Sequence, residues 1–378
     1  MSADSKIRFD SNAMLPGLSA WVNCESPTYE AADVNRMMDL AQAEAERAGL
    51  AVTRIPGSNG LGDMIRVDAG PRNGAKAVVA LSHLDTVHPL GTLAKELPLR
   101  QDGDKLYGPG VYDMKGGAYL AFQAFISVAK AGNLTRPIAH LFTPDEEIGS
   151  PTSRAVIEDM ARGASHVLVT EPCRDGGKVV TARKGVGRFV IDIEGRPSHA
   201  GARHELGRSA IREAARQILF VEGLTDYARG VTTTVGKMTG GTAANVIPRF
   251  ANFEIDFRVR SAADGEALAE TILGIKPHDP DVKLTITGGM NRPPMERSAG
   301  IVALFETAKR HAAEIGIALE DVPLTGGGSD GNFTAALGVP TLDGLGVDGD
   351  GAHTLQEHAL VSSLAPRAEL MARLLASL

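Results

Sequence analysis

The sequence predicts an α/β protein built as a larger domain with a smaller α+β domain inserted into it. Three observations carry this expectation. Up to Glu171, short β-branched runs alternate with stretches of helical periodicity, the pattern of a mixed or mostly parallel sheet covered by helices. From Val186 to Thr287 the order becomes β-α-β-β-α-β, the split-βαβ or ferredoxin-like unit. From Ser298 the α/β style returns. The expected division is therefore 1–183 with 293–378 as the larger domain and 184–292 as the insertion. A length of 378 residues fits two cores better than one.

In chain order, Glu30 to Gly49 reads as an amphipathic helix with Val34, Met37, Leu40, Ala41 and Ala48 on its apolar side and Gly49 as its stop. Strands are expected at Ala51–Ile55 and Asp63–Asp68, separated by the turn Gly57-Ser58-Asn59-Gly60. The run Val78-Val79-Ala80-Leu81 is a buried strand that stops at Ser82-His83-Leu84-Asp85. A helix opens near Met114 and runs to Gly132. Ile138–Thr143 is a strand ending in Asp145-Glu146-Glu147, Ser153–Arg162 a helix, and Val167–Thr170 a strand ending in Glu171. In the insertion, strands are expected at Val186–Ile193, Val231–Met238 (exposed or at an edge), Phe250–Val259 and Val282–Thr287, with helices at Gly207–Phe220 and Ala263–Gly274. A helix from Ser298 to Glu314 and another from Leu360 to Leu375 close the chain.

Composition excludes several classes. With 43% hydrophobic and 22% charged residues the chain is an ordinary globular one. A net charge of −7 argues against nucleic acid. No apolar run approaches the ~20 residues that span a membrane, and Met1–Lys6 lacks the basic start of a secretory signal. Two cysteines, Cys24 and Cys173, make no disulfide framework. A cytoplasmic protein is expected.

The chemistry concentrates at strand ends, where open α/β sheets bind ligands. His83, Asp85, Asp113, Glu146, Glu147, Glu171 and His353 all lie there. Within that group, His83, Asp113, Glu147, Glu171 and His353 make a mixed nitrogen and oxygen donor set that suits Zn²⁺, with Mn²⁺ or Co²⁺ as substitutes. A bridging carboxylate would let them hold two ions about 3.5–4 Å apart. So many carboxylates around one point are unfavourable without cations to neutralise them.

The strings SHLDTV, GPGVYDMKGG, PDEEIGS, EP, SHAG and GAH occur in that order. In this the chain resembles the dinuclear-zinc metallopeptidases that include glutamate carboxypeptidase, aminoacylase and succinyl-diaminopimelate desuccinylase, from about residue 14 to the end. RKGVGRF, NVIP, PPME and GGGSDGNFTAALGVPTLDGLG place it nearest the glutamate carboxypeptidase-like branch. The resemblance implies a zinc-exopeptidase-like catalytic domain and an inserted lid and dimerisation domain. It makes Asp113 the bridging carboxylate, His83 and Glu171 the ligands of one metal, and Glu147 and His353 those of the other. Asp85 becomes the acid that orients His83, and Glu146 the general base. His199 becomes the oxyanion donor, often supplied by the partner subunit of a homodimer. Asn245, Arg292 and the backbone of Gly327, Gly328 and Ser329 are implied in holding substrate.

The function so implied is release of a C-terminal, glutamate-like amino acid from a peptidyl or N-acyl group bearing a free carboxylate. Deacylation of an N-acyl amino acid, or attack on another small amide, is the alternative. A non-catalytic binding protein is disfavoured by the intact Glu146. Lys184 is read as a hinge or surface cation, Cys173 as a buried thiol, and His88, His140, His166, His204, His311 and His358 as surface or core residues.

Overall fold

The computed structural model describes residues 7–378; Met1–Lys6, discussed above for the missing signal, lies outside the described residues. The first described helix, α1 (Ser11–Val22), was not expected from periodicity. It contains Pro16, yet Asp10 caps it by accepting the Asn12 N–H at 2.8 Å, and Met14, Leu18, Trp21 and Val22 are buried. Helix α2 (Ala31–Arg47) follows, burying Val34, Met37, Met38, Ala41 and Ala45. Leu40 does not share that face and is exposed. At 3.6 residues per turn it points about 120° away from the centre of the stripe.

Strands β1 (Ala51–Ile55), β2 (Met64–Ala69) and β3 (Ala77–His83) come next. A four-residue helix, α3 (Thr92–Lys95), then leads to β4 (Arg100–Asp102) and β5 (Lys105–Tyr107). The long helix α4 (Gly116–Ala131) starts two residues later than expected, because a wide turn at Val111–Lys115 precedes it. Strand β6 (Ile138–Thr143), helix α5 (Arg154–Arg162), strand β7 (Ala164–Val169) and the short β8 (Val179–Val180) complete this part.

The insertion runs β9 (Gly185–Glu194), α6 (Ala210–Glu222), β10 (Thr232–Gly240), β11 (Phe250–Val259), α7 (Ala262–Leu273) and β12 (Lys283–Arg292). Its four strands lie in the order β10-β11-β9-β12, so β10 is an edge strand. Phe189, Ile191 and Ile193 of β9 and Phe253, Ile255 and Phe257 of β11 alternate inward to meet Ala210, Ala214, Leu268 and Ile272 of the two helices. Ser209 and Ser261 cap those helices through their hydroxyls.

The chain then returns through α8 (Ala299–Glu314), β13 (Asp321–Val322), α9 (Gly331–Ala336), β14 (Thr341–Leu342), β15 (Gly349–Asp350), β16 (His358–Leu360) and α10 (Val361–Ser377). The main sheet has the order β1-β2-β6-β3-β7-β14. Strands β6, β3, β7 and β14 are mutually parallel, while β1 and β2 pair antiparallel. Helices cover both faces: Val78 and Ala80 of β3 pack with α1, α2, α4 and α10, and Val79 and Leu81 with Ile157 of α5 and Phe333 of α9.

The chain separates into two compact units. One comprises residues up to Ala182, Arg297–Thr325 and Ser329–Leu378; the other comprises Arg183–Glu296 with Gly326–Gly328. The insertion thus reaches past Arg292, because Met295 and Arg183 exchange backbone hydrogen bonds of 3.0 Å. No helix among the described residues is long and apolar enough to cross a membrane.

Candidate metal centre

Because β6, β3 and β7 are adjacent and parallel, their carboxyl ends share one edge of the sheet. His83 is the last residue of β3, Glu146 and Glu147 form the first turn after β6, and Glu171 follows β7. Asp113 arrives on the turn between β5 and α4, and His353 on the loop between β15 and β16. His353 has φ of 63°, a left-handed backbone uncommon for a residue with a side chain. Strained backbone of this kind collects at functional sites.

The side chains meet around Asp113. His83 Nε2 lies 3.3 Å from Asp113 Oδ1 and 3.7 Å from Glu171 Oε1. On the other side, His353 Nε2 lies 3.3 Å from Asp113 Oδ2 and 3.2 Å from Glu147 Oε2. The two oxygens of Asp113 therefore face two different imidazoles, each with its own second carboxylate. Donor atoms of His83, Asp113 and Glu147 fall within 4.8 Å of one another, as do those of His83, Glu146 and Glu171.

Electrostatics describe a cluster short of positive charge. Burial disfavours a charged His83, but Asp113 and Asp85 outweigh it and hold the imidazole well above its ordinary value. Hydrogen bonding to Asp113 and then Glu147 pushes His353 up to about 10. Burial, and then the charge of Asp113, raises Glu147. Burial works against an ionised Asp113, yet His353 and His83 bring it far below the carboxylate range. Meanwhile His83 Nε2, Asp113 Oδ1 and Glu147 Oε1 are buried without a well-formed hydrogen bond. Unsatisfied buried donors and acceptors of this kind are costly. Imidazole and carboxylate atoms converging this way fit the binding of a divalent cation.

The supporting groups differ in part from expectation. Asp85 does approach His83, but Nδ1 lies closer to the Asp85 backbone oxygen, at 3.0 Å, than to Oδ1, at 3.4 Å. The Asp85 carboxylate chiefly accepts the backbone N–H groups of Glu146 and Glu147, each at 3.2 Å, and the Thr28 hydroxyl at 2.7 Å. It therefore holds the two glutamates as well as the imidazole. Asp145, not singled out from sequence, accepts the backbone N–H and hydroxyl of both Thr152 and Ser153 and anchors the same turn. His88 is a buried core residue, and its Nε2 lies 2.6 Å from the buried Glu357, another carboxylate that sequence reasoning passed over. Glu357 sits in no periodic pattern; only its place four residues after His353 could have drawn attention.

In the inserted unit, His199 and Asn245 stand on neighbouring strands of a short ladder. The Ala200 N–H donates to the Asn245 oxygen at 3.0 Å, and the Ile247 N–H to the Ser198 oxygen at 2.8 Å. Both His199 and Asn245 are exposed. His199 Nδ1 accepts the N–H groups of Gly201 and Ala202 at 3.1 and 3.2 Å, which leaves the proton of a neutral ring on Nε2. Arg292 is buried at the end of β12, opposite Val186. A Cβ on Gly328 would come within 2.9 Å of the Arg292 side chain, so only glycine lets the segment lie this close. Gly327 is exposed, and its oxygen accepts from Arg183. Ser329 departs from its expected substrate role: its side chain is fully buried on Asp343, and its N–H is donated to Asn332 Oδ1. Burial raises the Cys173 thiol to about 11, in keeping with an inert buried thiol.

Residues 79–377 match the family described as peptidase family M20/M25/M40. The chain belongs to that family. It is 33% identical over 375 residues to carboxypeptidase G2 of Pseudomonas sp. (strain RS-16), covering 97% of this chain and 89% of that protein. Acetylornithine deacetylase of Myxococcus xanthus is 30% identical over 237 residues, 59% of this chain and 61% of that protein. Succinyl-diaminopimelate desuccinylase of Delftia acidovorans is 28% identical over 353 residues, 83% of this chain and 88% of that protein. The fold is that of aminopeptidase PepT from Bacillus cereus, with a TM-score of 0.75, 23% identity, and coverage of 97% and 98% of the two chains. YxeP of Bacillus subtilis, described as a dinuclear metal binding peptidase of the M20 family, shares the fold with a TM-score of 0.70, 15% identity and 97% coverage of each chain. The resemblance read from the motifs and the expected fold class both hold, and the protein is an enzyme of a metallopeptidase family.

Proposed function

We propose that this enzyme hydrolyses an amide bond next to a free carboxylate and releases a glutamate-like C-terminal amino acid from a peptidyl or N-acyl group. The observation that carries the reading is the placement of Asp113 between two histidine–carboxylate pairs, with Glu146 beside them. His83, Asp113 and Glu171 would hold one Zn²⁺, and Asp113, Glu147 and His353 a second, with Mn²⁺ or Co²⁺ able to substitute. Bound there, the two ions would polarise the carbonyl and acidify an attacking water. Glu146 accepts the proton of that water and returns it to the leaving amine. Asp85 keeps Glu146, Glu147 and His83 in register through their backbone and ring N–H groups. His199 donates its Nε2–H to the oxyanion, a contribution of about 3–4 kcal/mol for a well-placed donor. Arg292 forks onto the substrate carboxylate, the contact a planar guanidinium suits, and Asn245, Gly327 and Gly328 help to hold the substrate.

Similarity to carboxypeptidase G2 over nearly the whole chain supports the C-terminal amino acid as the recognised half. Similarity to acetylornithine deacetylase and to the desuccinylase supports a second reading, deacylation of a small N-acyl amino acid. We also propose a homodimer formed through the edge strand β10 and helix α6, where Leu219, Phe220 and Met238 are exposed.

A panel of N-acyl glutamates, N-acyl forms of other amino acids and dipeptides decides the substrate. The proposal expects the rate to follow the released amino acid, with glutamate preferred whatever the acyl group. Rates that follow the acyl group instead would move the assignment to the deacylase reading. Arg292→Lys should raise KM more than it lowers kcat.

A further inference from the structure

Glu357 is 1% exposed, yet it carries a carboxylate on which four donors converge. Its Oε1 accepts the backbone N–H groups of Tyr112 and Asp113 at 2.9 and 3.0 Å. Its Oε2 accepts the Gly110 N–H at 3.0 Å and faces His88 Nε2 at 2.6 Å. Three N–H groups of the turn that precedes α4 are thus satisfied by one side chain more than two hundred residues away. Without it they would be buried donors lacking acceptors.

The origin of this carboxylate gives the contact its meaning. Glu357 ends the same loop that begins at Gly351 and carries His353. That loop is folded tightly on itself, with the Thr354 N–H on the Gly351 oxygen at 3.0 Å and the Glu357 N–H on the Thr354 oxygen at 3.3 Å. Gly351 has φ of 81°, and a Cβ there would press to 2.8 Å on the Gln356 backbone. A short, closed loop therefore links His353 at one end to the side chain that clamps the Asp113 turn at the other. Tyr112 extends the clamp by donating its hydroxyl to the Cys173 oxygen at 2.9 Å, two residues beyond Glu171.

We propose that Glu357, steadied by His88, is a positioning residue of the metal centre: it ties the turn bearing Asp113 to the loop bearing His353 and so sets the spacing of these two ligands. The proposal rests on the reading of Asp113 and His353 as metal ligands. A carboxylate is required because both oxygens face donors only. A glutamine would aim its NH₂ group at two N–H donors on one side. Residues behind metal ligands typically change metal affinity by about 10–100-fold when replaced.

The test is titration of the metal-free, full-length protein with Co²⁺, followed by calorimetry and by the visible spectrum of the bound ion. Glu357→Gln should weaken the binding of at least one ion by about 10–100-fold and alter the Co²⁺ absorption bands. His88→Leu, which leaves the three backbone contacts in place, should cause a smaller loss in the same direction, and His88→Gln, which restores a donor, should recover part of it. Should Glu357→Gln not fold, as judged by circular dichroism of the metal-free form, the two His88 variants decide the matter alone. Folded variants that bind both ions with wild-type affinity and spectrum would overturn the positioning role while leaving the ligand assignment intact. A wild-type chain that takes up no Co²⁺ would overturn both.

Discussion

Glu146 and Glu147 are neighbours in the chain with different surroundings, and the proposed mechanism gives them different work. Glu147 is drawn to His353, whereas Glu146 shares its space with His83 and Glu171. Glu146→Gln keeps the size of the side chain and removes its basicity. It should lower kcat by about 10²–10⁴-fold with two ions still bound per chain, as metal analysis would show. Loss of metal along with activity would make Glu146 a ligand instead. His140 gives a second residue-scale prediction, this one about stability. Burial lowers it from 6.5 to about 3; it stacks on Phe142 at 4.0 Å and shares a 2.8 Å hydrogen bond with Ser82. The folded chain keeps this ring neutral, while the unfolded chain protonates it below about pH 6.5. Its contribution is therefore complete above that pH and is lost as pH falls toward 3, by about 1.4 kcal/mol per unit. Urea unfolding should show His140→Leu with a shallower pH dependence than wild type between pH 6.5 and 5, and equal slopes would remove His140 from the account.

At the scale of elements, legibility followed length and periodicity. Strands β6 and β11 match their expected limits, β6 as a short, mostly apolar run broken only by His140 and β11 as a strict alternation from Ala251. Helix α1 was invisible because Pro16 and Gly17, in its second turn, interrupt its pattern. Strands β4, β5, β15 and β16 are two or three residues long and have no periodicity to read; they exist because they pair with one another. The same reasoning divides the candidate site. The residues brought together at the ends of β3, β6 and β7 were accessible from strand-end position and motif, since parallel neighbours present their carboxyl ends together. Glu357 was not, because a carboxylate that satisfies backbone N–H groups more than 240 residues away leaves no local trace, and Asp145 was not, because its bonds to Thr152 and Ser153 follow no periodic pattern. Strand β10 was expected to be exposed or at an edge, and it is an edge. Exposed edges invite pairing with another chain, and Leu219, at 76% exposed on α6, lies on an element packed against β10. The proposed dimer predicts that Leu219→Glu shifts sedimentation equilibrium toward monomer by at least tenfold in dissociation constant. An unchanged mass would place the interface elsewhere.

Among the described residues, two hydrophobic clusters lie within the unit that carries the candidate metal-site residues, and one, built on Phe189, Phe253 and Phe257, lies within the inserted unit. A core of its own is what lets a domain unfold as a unit. Metal binding stabilises only the unit whose folded form creates the ligand set, since the unfolded chain scatters those ligands. At a free concentration of 1,000 times Kd, each ion would contribute about 4 kcal/mol. For a domain of this class a kilocalorie moves the midpoint by about 2–4 °C. Chelation should then lower the melting of the ligand-bearing unit by roughly 8–16 °C per ion lost, while leaving the melting of the inserted unit in place. Scanning calorimetry with and without chelator reads both, and hydrogen exchange assigns each transition to its residues. Faster exchange in β3, β6 and β7 with β9 and β11 unchanged is the expected result. Equal destabilisation of both units would show instead that they unfold as one, and that the ions stabilise the chain as a whole.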